Sequence, residues 1–192
     1  MRKPCGSIVG GMVFLVSLVG APLAAQLSAA EVKTIQRETT LPVAYSSWVV
    51  TESFTGTLQE VGGFLATFLS DFTAQHLDAE LGSFRPLSVV LLSQDPAAAN
   101  AITLQVGLTV PGGFTVRPPL RTRQILLSRA VLHTHTGPYE DGGLVHAAME
   151  SALPAGRRLA WPVVLLLLND PKGVSPAEIQ STMIVQEQTT KK

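Results

Sequence analysis

The sequence predicts an α+β domain in which a strand–helix–strand–strand unit is duplicated, forming an antiparallel sheet with two helices on one face. Composition is the first ground. Hydrophobic residues make up 46% of the 192 positions and charged residues 15%, enough apolar material for a core and too little charge for a disordered chain. Patterning is the second, because segments with apolar residues three and four apart alternate with short β-branched or alternating runs. The third is an internal match at an offset of 75 positions. Val89-Val90-Leu91-Leu92-Ser93-Gln94-Asp95-Pro96 lies on Val164-Leu165-Leu166-Leu167-Leu168-Asn169-Asp170-Pro171, Leu104-Gln105 on Ile179-Gln180, and Val110 on Val185. Units of about 70 residues are marginal alone, so the repeats, about 41–112 and 120–186, are expected to pack as one body spanning 41–186.

The chain opens on a leader pattern. Arg2 and Lys3 precede an uncharged apolar run from Ile8 to Gly20, and small residues follow at Ala21, Ala24, Ala25 and Ser28-Ala29-Ala30. A basic start, an apolar centre and a small-x-small site are the order of a secretory signal. Residues 1–30 are therefore expected to direct the protein to the periplasm or the medium, with cleavage after Ala25 or Ala30. The alternative is an uncleaved anchor, since Pro4 to Ala30 is long enough to span a bilayer; membrane association is expected only in that case. Cys5 lies ahead of the apolar run, which does not suit a lipoprotein. Removing the leader takes away the only cysteine, and with it any disulfide or thiolate chemistry.

The remaining elements follow in order. Residues 31–40 are polar and read as a lead-in strand or linker. Val43 to Val50 is rich in β-branched and aromatic residues and reads as a strand. Leu58 to Leu77 reads as a helix, with Leu58, Val61, Leu65, Phe68, Leu69 and Phe72 at helical spacing. Leu87 to Leu92 and Ile102 to Val110 read as strands, stopped by Gln94-Asp95-Pro96 and Pro111-Gly112-Gly113. Ile125 to Thr136 is extended. Pro138 suits a first helical position, and Glu140 and Asp141 suit the positive end of the helix dipole, so a helix is expected from Gly137-Pro138 to about Leu153. Val163 to Leu168 and Ile179 to Val185 are the last strands, and a polar tail covers 187–192.

His135-Thr136-Gly137-Pro138-Tyr139-Glu140 resembles the strand-to-helix motif of the GyrI-like (gyrase-inhibitor-like) domains, which also form the effector-binding half of some multidrug-sensing activators. Leu168-Asn169-Asp170-Pro171, with Pro176-Ala177-Glu178 after it, resembles the C-terminal signature of that family. Arg85-Pro86-Leu87 and Val106 to Val110 are similar to its first-half motifs. The resemblance covers roughly Ile35 to Val185. It implies a duplicated strand–helix–strand–strand fold, similar to that of the heme-binding SOUL proteins. It also implies a pocket between the repeats for amphipathic, often aromatic and cationic, molecules. Some members are implied to hydrolyse strained, cyclopropane-type toxins. Where many members carry a pocket glutamate and then a tyrosine, this chain has Leu165 and Leu167. A carboxylate in an apolar pocket attracts a cation or serves as a base; leucine does neither, so the pocket is expected to be neutral and greasier.

Candidate chemistry is sparse. His133 and His135 share a strand face, but two imidazoles are too few for a zinc site, and neither a metal nor a cofactor is expected. Tyr139, Glu140 and the pair Gly62-Gly63 read as structural. No Gly-x-Ser-x-Gly, phosphate-loop or His-Glu-x-x-His motif occurs. The short basic clusters, Arg121 with Arg123, Arg157-Arg158 and the terminal Lys191-Lys192, read as solvated surface charge, so no nucleic-acid partner is expected. The large aromatic side chains are the best candidates for ligand stacking. The expected ligand-binding residues are Tyr45, Trp48, Phe68, Trp161, Leu165, Leu167 and Met183, and the expected partner is a small hydrophobic molecule, sensed or sequestered. The competing classes are a hydrolase, which needs a carboxylate in the cleft, and an interaction scaffold whose cleft is plugged by Leu165 and Leu167.

Overall fold

Strand β1 (Thr40–Thr57) is 18 residues long because it serves two partners. Its first part pairs with β4 (Arg121–Thr136) and its second with β3 (Ala101–Thr109), both antiparallel. The Thr- and Ser-containing stretch beyond Val50, not expected as strand, is extended because β3 satisfies its backbone groups. β2 (Leu87–Asp95) lies between β3 and β5 (Arg157–Leu167), and β6 (Gln180–Thr189) joins β5 to β4. The computed structural model that establishes this describes residues 27–57, 60–77, 86–95, 101–138, 141–169 and 174–190. The leader's apolar run, Arg85, Tyr139, Glu140 and Asp170-Pro171 lie outside them.

The strand order β1-β3-β2-β5-β6-β4 closes on itself through β1·β4. Exchanging the first three strands for the last three only reverses this order. The two strand–helix–strand–strand units therefore meet at two seams, β1·β4 and β2·β5, as a pseudo-two-fold relation requires. The α+β class and the antiparallel sheet are as expected; closure of that sheet is an addition.

The offset of 75 does not hold in the second strand of each unit. It sets Val90 on Leu165. In the structure Val90 pairs with Val164 on the face away from the helices, whereas Leu165 pairs with Val89 beneath them. An odd shift turns every side chain of a strand to the opposite face, so equivalent positions here are an even number of residues apart.

Three helices are described: α1 (Ala29–Glu38), α2 (Val61–Ala74) and α3 (Gly142–Ser151). α1 replaces the expected lead-in strand or linker. Ser28 and Glu31 form a reciprocal capping box, Glu31 Oε2 accepting from Ser28 N at 2.7 Å and Ser28 Oγ from Glu31 N at 3.2 Å. α1 buries Ile35 and ties Gln36 Nε2 to Ser151 Oγ of α3 at 2.7 Å. α3 begins later than expected, with Asp141 rather than Gly137 at its cap. Beneath the helices, Phe68 and Phe72 of α2, Val145 and Met149 of α3 and Ile35 form one core with Leu104, Val106, Leu165, Met183 and Val185. The opposite face carries a smaller cluster around Val49, Val90, Ile125, Leu127, Val164 and Ile184.

Candidate functional site

Alternation along β1 decides which side chains meet at the β1·β4 seam. Phe54 stacks on Phe64 of α2, ring centroids 5.0 Å apart, so the even-numbered residues of this stretch face the helices. Thr51 and Ser53 face the other way. Register brings Gln105 opposite Ser53 and Arg121 opposite Thr51. Arg121 and Arg123, two apart in β4, share that face. Together with Pro119 they line a cavity of about 560 Å³, within the usual range of small-molecule sites. It lies between a strand pair of the first repeat and the opening of the second.

A chain of hydrogen bonds orders its wall. Gln105, only 9% exposed, donates from Nε2 to Ser53 Oγ at 3.1 Å and accepts from the Arg123 guanidinium at its Oε1. Thr51 Oγ1 donates to Val106 O at 2.7 Å. Gly107 is opposite Thr51, and a Cβ there would lie 2.8 Å from Val50 O, so glycine keeps this part of the ladder unstrained. Glu52 and Thr122 also line the cavity, although alternation along their strands turns their side chains to the helix side. There the Glu52 carboxyl is raised in pKa by burial and, secondarily, by the charge of Asp71. Its Oε2 is buried without a hydrogen-bond partner among the described residues.

The residues expected to bind ligand fall into three groups. Phe68, Leu165, Leu167 and Met183 come together in the helix-covered core, each 5% exposed or less, with Leu165 directly opposite Met183. Tyr45 packs on the other face. Trp48 and Trp161 are exposed, and the Trp48 ring lies against Gly112 of the β3–β4 connection. The cavity residues Ser53, Gln105, Arg121 and Arg123 were not expected. The available signal was the spacing of two arginines on one strand face.

The histidines form a second cluster. His133 is 4% exposed, 6.4 Å from His135 between ring centroids, and its Nδ1 has no partner among the described residues. Burial, then the neighbouring His135, holds its pKa low, against a smaller opposing effect of Glu38. His135 Nε2 meets Asp141 Oδ2 at 3.3 Å, tying the end of β4 to the start of α3. A Cβ on Gly137, at φ +155°, would sit 2.6 Å from His135 Nε2, so the His-Thr-Gly-Pro motif is a packed corner. Asn169 is structural too: it accepts from Gln180 N at 3.0 Å and donates to Glu178 O at 2.9 Å, closing the loop before β6. Among the described residues no group of three or more His, Cys, Asp or Glu is placed to hold a metal ion.

Solved structures share this fold. An uncharacterised conserved protein from Listeria innocua superposes with a TM-score of 0.61 at 14% identity, over 79% of this chain and 93% of that one. A hydrolase from Listeria innocua gives 0.57 at 14% identity, over 79% and 92%. The C-terminal domain of EcmrR gives 0.59 at 12% identity, over 79% and 97%. At such identities the likeness is one of fold. It accords with the GyrI-like fold that the motifs implied. No family model matches the chain, and no curated protein matches it.

Proposed function

We propose that this protein is an exported small-molecule-binding module that holds its ligand at the β1·β4 seam between its repeats, for sensing or sequestration. One observation carries the reading. The seam contains a cavity large enough for an organic molecule, walled by side chains already ordered through the Ser53–Gln105–Arg123 hydrogen bonds. Such preorganisation reduces the entropy lost on binding. The fold it shares with the C-terminal domain of EcmrR accords with the GyrI-like resemblance, which implies small-molecule binding. Leu165 and Leu167 are packed within the helix-covered core, which lends no support to a greasy pocket at those positions and moves the proposed site to the seam. Export rests on the leader pattern of residues 1–30.

A hydrolase is the second reading, favoured by Glu52, a carboxyl of raised pKa with one unpartnered oxygen. It ranks second because this side chain faces α2 and not the cavity wall. The test is ligand-observed NMR with a fragment library, on wild type and on Ser53→Trp, which fills the cavity from an exposed position. Fragments that bind wild type and are released by Ser53→Trp, at unchanged melting temperature, are the expected result. Binding that survives the plug, or no binding at all, overturns the seam as the ligand site.

A further inference from the structure

Among the described residues, the charged groups left without an ion pair in the seam cavity are donors. Gln105 spends both ends of its amide, one on Ser53 and one on Arg123. The Thr51 hydroxyl is committed to Val106 O. Ser53 Oγ accepts from Gln105, which leaves its own proton to give. Arg123 is held in place by Gln105 and keeps further N–H groups. Among the described residues neither Arg121 nor Arg123 meets a carboxylate, whereas Arg129 and Arg157 both close on Glu187. The one acid of β1 near this point, Glu52, has its carboxyl on the other side of the sheet.

We infer that the seam cavity takes a small organic oxyanion, a carboxylate or a phosphate ester, seated between Arg121 and Arg123 with Ser53 as a further donor. The inference rests on the seam being the ligand site and adds the class of ligand. A wall with two guanidiniums and a hydroxyl proton selects a group that only accepts, and guanidinium–oxyanion hydrogen bonds are the strong, charge-assisted kind. A cation there meets two like charges, neither of them paired with a carboxylate among the described residues. The cavity volume admits an organic body behind the anionic head, not only an inorganic ion.

Matched aromatic probes test this on the full chain by isothermal titration: 1-naphthylacetate, 1-naphthyl phosphate, the neutral 1-naphthylacetamide and the cationic 1-naphthylmethylammonium. At least one of the two anions is expected to bind about tenfold or more tighter than the amide, roughly 1.4 kcal/mol, and to weaken as salt is raised. Which anion wins distinguishes a carboxylate ligand from a phosphate. Arg121→Gln, at an exposed residue without an ion pair, is expected to remove most of the preference while leaving the melting temperature unchanged; Arg123→Gln gives a second reading of the same loss. If acid and amide bind equally and Ser53→Trp abolishes both, the seam stands as a site and the anion assignment is wrong. An anion preference untouched by either arginine substitution also overturns it. If no probe binds, the seam reading and this inference fall together.

Discussion

At the scale of single residues, the motifs that stand out in the sequence hold corners together. His135, Gly137 and Asp141 join β4 to α3, and Asn169 closes the loop before β6. The side chains proposed for binding are plain polar ones that acquire meaning only from their neighbours. His133 supports a prediction about pH. Its folded-state pKa lies below the unperturbed value of about 6.5, first because it is buried and then because His135 is near. The unfolded chain therefore takes up the proton more readily. The neutral imidazole's contribution is fully present above that value and is lost as pH falls through and below it. The groups facing it are His135 and, on α1, Glu38. His146 is lowered as well, again chiefly by burial. Urea midpoints between pH 7.5 and 5 are expected to fall in wild type and to fall less steeply in His133→Leu. Parallel slopes for the two proteins would show that His133 is not the group responsible.

At the scale of elements, strands and helices with strong periodicity were legible, with ends that moved by several residues. The misses have physical causes. β1 continues past Val50 because β3 is there to pair with it, a non-local fact. α1 was hidden because Ser28-Ala29-Ala30 serves two readings, a cleavage site and a helix cap; the Ser28-to-Glu31 spacing was the overlooked signal. This overlap yields a prediction. A cut after Ala30 would remove the cap and the first two residues of α1, whereas a cut after Ala25 keeps Ser28. N-terminal sequencing of exported protein is expected to begin at Gln26. Ser28→Ala is expected to cost about 1 kcal/mol in a urea melt. A start at Glu31, or no loss from Ser28→Ala, would mean that the capping box is dispensable.

At the scale of the whole molecule, the duplication in the sequence corresponds to two units that share their sheet and their cores. β1·β4 and β2·β5 are both contacts between repeats, and the core under the helices draws on α1, α2, α3 and all six strands. A fragment spanning 41–112 would leave β1 and β2 as open edges and half of that core exposed to water. Expressed alone, it is expected to show no cooperative thermal transition by circular dichroism, whereas the full chain melts in a single step. A sharp transition in the fragment would make each repeat an autonomous domain.

By itself the sequence determined the class of fold, the order strand–helix–strand–strand in two copies, and the existence of a leader pattern, because these depend on local periodicity and on comparing the chain with itself. Only the tertiary structure decided where a cavity lies. A cavity is made by residues far apart in the chain, here Ser53, Gln105 and Arg123, whose proximity follows from strand register. A one-residue change of register turns a strand over. This is why Leu165 is core while two arginines that read as solvated charge face the seam.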